Sequence, residues 1–372
     1  MSAATVEYAG IAHDTDIKGQ FGRARITAVG TANPPTPYSQ RELIDVLRIE
    51  NSRIRSLFLK SAIERRFLTL PRPQEDGSLV PESQASLLKK HKESATDMGI
   101  RAISECLANL GAEPNDVQYI CCVTTTGFMA PSLSAVISKE FGLSPHCTRL
   151  DVVGMGCNAG LNGLNATAAW SMANPGKLAL LLCVEVCSAA YVFDESMRSA
   201  VVNSLFGDGA AAAGIMTEAG SVRTTEGPSI ACFRSRLISS AIDGMRFDWD
   251  ESHGKFSFFL DPVVPYVVGA NVPQLVSDLL ASAGVRPSSV RHWLIHSGGK
   301  KVIDAVKVNL GLSSNDLRHT SSVLKDFGNL SSGSFLFSYK RLLQERIACP
   351  GDYGVMVTMG PGATIESALL QW

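Results

Sequence analysis

Three of the 372 residues stand in settings that suit chemistry. Cys157 lies in Gly154-Met-Gly-Cys-Asn-Ala-Gly160, just ahead of a small-residue run, Leu161 to Met172, that reads as a helix. The free N–H groups at a helix start stabilise a thiolate, and a nearby imidazole adds to this, so such a thiol can attack a carbonyl carbon. The flanking glycines leave room for a thioester against the backbone. His296 follows the apolar stretch Val290 to Ile295 and, of seven histidines, is the one that a Gly-Gly pair follows at a strand end. Asn329, after Gly328 and before Leu-Ser-Ser-Gly, suits a helix N-cap equally well, and a cap can still donate from its amide. An amide and an imidazole that converge make an oxyanion hole for a thioester carbonyl. The ordinary alternatives are one more buried thiol, a packed histidine and a plain cap.

The elements that would position these residues show a duplication. Cys106-Leu-Ala-Asn-Leu-Gly-Ala-Glu-Pro-Asn-Asp-Val-Gln-Tyr119 has a counterpart in Leu279-Leu-Ala-Ser-Ala-Gly-Val-Arg-Pro-Ser-Ser-Val-Arg-His292. Each reads as helix end, Gly stop, Pro turn and strand. The strands Val117 to Val123 and Val290 to Ile295 both run into Gly-containing loops. Gly154 to Gly160 before one helical run matches Phe327 to Gly333 before another, Ser334 to Glu345. Pro175-Gly and Pro350-Gly then each open an apolar strand. Val117 and Val290 stand 173 positions apart, Cys157 and Asn329 172 apart. Two α/β units related by a pseudo-twofold are expected, with Cys157 and Asn329 at equivalent helix starts. The expected halves are 1–225 and 226–372, with a loop-like seam at Thr217 to Ser229. Gln40 to Asp97, helical and charge-rich, reads as an N-terminal elaboration.

Composition narrows the function. A net charge of -1 gives no basic field for nucleic acid. Met1 to Arg25 has no apolar h-region of a secretory signal, and Leu178 to Val192, interrupted by Glu185, is too short to span a membrane. That segment reads as a buried strand and its exit loop. Nine cysteines without a C-x-x-C pair fit a reduced, cytoplasmic setting and argue against a structural zinc site.

Taken together, Gly-Met-Gly-Cys157-Asn-Ala-Gly, Leu-Phe206-Gly-Asp-Gly-Ala, His296-Ser-Gly-Gly, Gly-Asn329-Leu-Ser-Ser and Gly360-Pro-Gly362 resemble the type III polyketide synthases, the chalcone synthase superfamily. The likeness runs from about Ile26 to the end. It implies a thiolase-like layered αβαβα fold with two duplicated α/β halves, a homodimer, and decarboxylative condensation of malonyl-CoA without an acyl carrier protein, a metal or a redox cofactor. Cys157 would carry the growing acyl chain, while His296 and Asn329 would polarise the malonyl thioester. Gly207-Asp-Gly209 then reads as a tight turn, not a nucleotide loop.

By the same resemblance Phe206 and Phe258 match gatekeeper aromatics between the CoA tunnel and the cavity. Arg53 and Lys60 match basic residues that contact CoA, and Lys300 or Lys301 adds charge at the pantetheine entrance. Core packing for the phenylalanines and solvation for the basic residues are the alternatives. Met359, before Gly-Pro-Gly, and Ala190, where plant members have a cavity threonine, are expected by the resemblance to line the cavity; both depart from the plant pattern and argue against a phenylpropanoid starter. Lys60 to Pro71, Met245 to Asp250 and Ser332 to Tyr339 resemble a bacterial branch that uses malonyl-CoA as starter and extender. Its four units close to a dihydroxyphenylacetyl thioester, a precursor for glycopeptide antibiotics. Other readings are a different resorcinol or pyrone, an initiating ketoacyl synthase, or a non-catalytic thiolase-like binding protein. A thiolase or hydroxymethylglutaryl-CoA synthase would need a further Cys or Glu in the chemistry.

Overall fold

The computed structural model describes residues 22–190, 196–219 and 226–372. The first half opens with β1 (Ala24–Ala32), β2 (Pro37–Ser39), α1 (Gln40–Val46), α2 (Ser52–Leu59) and β3 (Arg65–Phe67). Ser39 and Glu42 bond reciprocally at the start of α1 and so satisfy two of its free N–H groups. α3 (Gln84–Leu110) is capped by Ser83 and stopped by Gly111, left-handed at φ 64°. β4 (Val117–Thr124), α4 (Leu133–Phe141), β5 (Thr148–Val153), α5 (Ala159–Ala173), β6 (Leu178–Glu185), α6 (Met197–Asn203) and β7 (Gly209–Thr217) follow. The second half comprises β8 (Ser229–Leu237), the β9 (Met245–Asp250) and β10 (Lys255–Leu260) hairpin, α7 (Val264–Ser282), β11 (Val290–Ile295), α8 (Lys300–Leu310), α9 (Arg318–Phe327), α10 (Ser334–Glu345), β12 (Tyr353–Gly360) and β13 (Thr364–Gln371).

Strand order is β11-β12-β13-β8-β1-β7-β6-β4-β5, and the halves join where Arg25 of β1 pairs with Ser229 of β8. Outward from that seam the pairing senses repeat. β1–β7 and β8–β13 are antiparallel, as are β7–β6 and β13–β12, whereas β6–β4 and β12–β11 are parallel. Repetition of sense as well as order is what a duplicated unit produces. β5 extends the first half alone, so it forms a sheet edge.

Burial divides the molecule into layers. α5 and α10 pack with residues from both half-sheets in one apolar cluster, α3 and α4 cover the other face of the first half, and α7 and α8 that of the second. Strands covered on both faces explain the nearly continuous apolar runs of β4, β6 and β12. The two central helices approach so closely that a Cβ at Gly160 would lie 2.1 Å from the Ser332 carbonyl oxygen. Small residues at the start of α5 are therefore a packing requirement.

Two expectations need correction. The turns that lead into α5 and α10 start at Gly156 and Ser331, 175 positions apart, and β6 and β12 keep that spacing, whereas β4 and β11 are 173 apart. The loops in between differ in length, so the counterpart of Cys157 is Ser332, and Asn329 stands just before its turn. Gln40 to Asp97 is also not wholly an added segment: from Gln84 it is the beginning of α3, whose Ala95 and Met98 belong to the core. The Leu178 to Val192 segment forms β6 and the 3-10 turn Cys187–Ala189, with 191–192 outside the described residues. Within the expected seam, 220–225 lie outside them too. No described helix is long and apolar enough to cross a membrane.

Candidate active site

Cys157 sits in the 3-10 turn Gly156–Asn158 ahead of α5 and is buried. Gly156 adopts φ +77°, and a Cβ there would lie 2.2 Å from Cδ of Pro361, so the Gly360-Pro-Gly362 turn closes directly over the cysteine loop. From the other half, β11 ends at Ile295, and the His296 amide continues its ladder by donating to the Val357 carbonyl at 2.8 Å. Asn329 is held by its backbone: its N–H donates to the Leu205 carbonyl at 2.8 Å, and its carbonyl accepts from Gly207 at 2.9 Å. These two bonds bracket Phe206. The fully buried Arg66 donates to the Phe206 carbonyl at 2.6 Å and so fixes the same segment from β3.

Ser331 links the three candidate residues. Its hydroxyl accepts from the Cys157 thiol at 3.5 Å, and its amide donates to Asn329 Oδ1 at 2.8 Å. Its carbonyl accepts from the Ser334 hydroxyl at 3.0 Å, and Ser334 Oγ in turn bonds to His296 Nδ1. Ser331 reaches all of them from a left-handed conformation, φ 49°, uncommon for a residue other than glycine or asparagine.

The network pairs proton positions. Ser334 has one proton for two neighbours, the Ser331 carbonyl and His296 Nδ1; with that proton on the carbonyl, Nδ1 of His296 carries the hydrogen that lies between them. Nε2 is then a lone pair without a hydrogen-bond partner among the described residues. With Oδ1 of Asn329 engaged by Ser331 N–H, its Nδ2 is the donor, occupied only by a 3.4 Å contact to the Gly298 carbonyl.

Beneath this network, Glu185 ends β6 fully buried. It accepts from the amides of Thr125 at 3.0 Å and Thr126 at 3.2 Å, and from the hydroxyls of Ser332 at 2.6 Å and Ser331 at 3.3 Å. Burial nevertheless outweighs these donors and raises its pKa. Burial likewise pushes the Cys157 thiol up to about 12, against the lowering effect of Ser331 and with help from the Glu185 charge. It lowers His296 to about 3. The sequence pointed to a ready thiolate, whereas the closed site favours neutral thiol and neutral imidazole.

The cavity above Cys157 is narrow, with about 30 Å³ of free volume, well below that of an open ligand pocket. Phe206, Phe258 and Ala190 line it, as does Phe247. The Phe206 and Phe258 rings meet edge to face with centroids 5.9 Å apart, and Phe247 lies 5.0 Å from Phe258. Met359 is elsewhere: it alternates with Val355 and Val357 onto the face of β12 that packs in the outer cluster, and it does not line this cavity. Arg53 and Lys60, at the two ends of α2, and Lys300 and Lys301, at the start of α8, are all exposed, and none lines the cavity. Lys300 pairs with Asp304. Asp208, of the Gly-Asp-Gly segment, is buried and accepts from Thr69 N–H and from the amide and hydroxyl of Ser188, an anchoring role. Among the described residues, no group of three or more His, Cys, Asp or Glu could hold a metal.

Sequence reasoning missed Ser331, Ser334, Glu185, Phe247 and Arg66. Ser331 lies inside the Gly-Asn329-Leu-Ser-Ser motif, Ser334, Phe247 and Arg66 lie inside segments quoted for the resemblance, and Glu185 was visible as the one charge in an apolar strand. A buried carboxylate needs donors, and the Thr125-Thr-Gly127 loop and the Ser331-Ser332 pair were the available ones.

Two like α/β halves with facing central helices, a thiol at one and an imidazole and amide beside the other, define a thiolase-like fold. Residues 13–219 match the model for chalcone and stilbene synthases, N-terminal domain, and residues 248–372 the model for the C-terminal domain. The chain belongs to the chalcone and stilbene synthase family. It is 58% identical over 352 residues to 3,5-dihydroxyphenylacetyl-CoA synthase of Streptomyces toyocaensis, covering 94% of this chain and 90% of that protein. The identity is also 58%, over 348 residues, to the enzyme of the same name from Amycolatopsis orientalis, covering 94% and 93%. Among solved structures, PKS-I of the brown alga Ectocarpus siliculosus superposes with a TM-score of 0.86 at 25% identity, over 95% of this chain and 99% of that one.

Proposed function

We propose that this chain is a malonyl-CoA-dependent type III polyketide synthase that condenses four malonyl-CoA and cyclises the tetraketide to 3,5-dihydroxyphenylacetyl-CoA. The observation that carries the reading is the Ser331 network, which ties Cys157, His296 and Asn329 to one small aromatic-walled cavity. The 58% identity to synthases of that product supports its final form.

With its hydrogen on Nδ1, His296 takes the thiol proton at Nε2 as Cys157 Sγ attacks an acyl-CoA carbonyl; the C–S bond to Cys157 forms, the bond to the CoA sulfur breaks, and CoA leaves as a thiolate that is protonated by water, so the ring stays protonated. The protonated ring, now a donor at Nε2, and Asn329 Nδ2 then converge on the thioester oxygen of the next malonyl-CoA. Loss of carbon dioxide leaves an enolate on that oxygen, and its carbon attacks the Cys157 thioester carbonyl; the C–S bond to Cys157 breaks, the thiolate takes back the His296 proton, and the chain, longer by two carbons, stands on CoA ready to reload Cys157. Phe206 and Phe258 bound the chamber in which the chain grows, Ala190 widens it, and Arg53, Lys60, Lys300 and Lys301 receive CoA phosphates from solvent.

The same reading places the nucleophile in 1–225 and the imidazole and amide in 226–372. It includes a homodimer formed through the edge strand β5, where Leu150 and Val153 are exposed and Phe128 is 74% exposed. It includes direct use of CoA thioesters without an acyl carrier protein, and a cytoplasmic setting that keeps the nine thiols free. Mass spectrometry of products from malonyl-CoA alone tests it. A dihydroxyphenylacetyl thioester is expected; a pyrone or another resorcinol would overturn the product, and no product without an added starter would overturn malonyl priming.

A further inference from the structure

His91, on α3, is fully buried, and its Nε2 has no hydrogen-bond partner among the described residues. Its ring lies against the Thr126-Gly127 backbone so closely that a Cβ at Gly127 would stand 2.3 Å from it. Among the described residues, the one polar contact of the ring is Nδ1 to Thr126 Oγ1, 3.3 Å. An apolar side chain would fill this space without stranding a ring nitrogen, so packing alone does not account for a histidine.

Thr126 joins this ring to the carboxylate beneath Cys157. Its Oγ1 accepts from Val186 N–H at 2.8 Å and meets His91 Nδ1, while its backbone N–H donates to Glu185 Oε2 at 3.2 Å. Burial keeps the His91 ring neutral, lowering its pKa to about 4. Polar contacts thus run from His91 through Thr126 to Glu185 on one side, and from Cys157 through Ser331 to Glu185 on the other.

We propose that His91 is a positioning residue for the condensation: its Nδ1 fixes the Thr126 hydroxyl and so sets the loop whose Thr125 and Thr126 amides hold Glu185 beneath Ser331 and Cys157. This rests on the condensing reaction proposed above. His91 touches neither substrate nor the cavity and acts only through Thr126.

The test compares His91→Phe, which fills the ring volume without a polar atom, with His91→Asn, whose amide can donate or accept in the place of Nδ1. For each full-length variant, kcat and KM for malonyl-CoA are measured, together with the iodoacetamide labelling rate of Cys157 read by peptide mass spectrometry. His91→Phe should lower kcat by at least about tenfold, as loss of an outer-shell partner does, with KM within about twofold, and should change the Cys157 labelling rate. His91→Asn should restore both to within about threefold of wild type. Full kcat in His91→Phe, or equal losses in both variants, overturns the proposal. Should His91→Phe fail to fold, Thr126→Val and the His91→Asn/Thr126→Val double variant decide: the double should match Thr126→Val alone, and additive losses would overturn the proposal. If wild type makes no polyketide, the functional reading fails, while the labelling rates still judge His91.

Discussion

The two halves share strand order, pairing sense and a central helix, yet at equivalent places they carry different side chains. Where the first half has Cys157 at the start of α5, the second has Ser332; where β6 ends in Glu185, β12 ends in Gly360. The first strand of the outer parallel pair runs on through Val123, and its counterpart, at the spacing of 173, is His296. Duplication thus supplies two loop clusters that face each other, and on the proposed roles divergence gives the nucleophile to one and the donors to the other. Ser331 and Ser332 carry hydrogen bonds between the two clusters, and the left-handed backbone of Ser331 lets its side chain reach Cys157 while its amide holds Asn329.

Variants that break this division should differ in size of effect. Asn329→Ala removes the donor Nδ2 and should slow decarboxylation of malonyl-CoA by roughly 10² to 10³-fold, the cost of one oxyanion-hole donor, measured as carbon dioxide release. Ser334→Ala leaves His296 in place but frees its tautomer, and the same assay should fall by about 10 to 100-fold, comparable to the loss of an outer partner of a ligating histidine. Alkylation of Cys157 sharpens the electrostatic side. Its pKa is raised to about 12, so the thiolate fraction climbs with pH and does not saturate below that value. The labelling rate should therefore rise about tenfold per pH unit between roughly pH 7 and 10 without a plateau; a plateau near neutrality would mean a standing thiolate and imidazolium pair. Gly160→Ala tests the contact between the central helices. With only 2.1 Å to the Ser332 carbonyl, it should destabilise the fold by about 1–3 kcal/mol, seen as a lowered Tm.

The halves and the three candidate residues could be read from the chain because their signals are contiguous: Gly stops, Pro-Gly turns and short motifs. What joins them could not. The two-residue drift between 173 and 175 arises in loops, so linear spacing paired Cys157 with Asn329 when the folded counterpart is Ser332. Met359 was misleading for a related reason. β12 is buried on both faces, so no polar alternation tells which face a given residue takes, and only the packed structure turns Met359 to the outer cluster. The expected thiolate followed from helix-start electrostatics, which were counted without the burial that opposes them. Glu185 and His91, both inside apolar surroundings, are the residues a pattern search passes over and a count of buried polar groups recovers.

The division of labour itself is tested most directly by following both half-reactions in Cys157→Ala. With malonyl-CoA as the only substrate, carbon dioxide and acetyl-CoA are measured beside polyketide products. The account predicts that decarboxylation continues through the Asn329 donor, slowed by no more than about 10² to 10³-fold because the neutral His296 no longer receives the thiol proton, while no carbon–carbon bond is made. Equal loss of decarboxylation and condensation would contradict it.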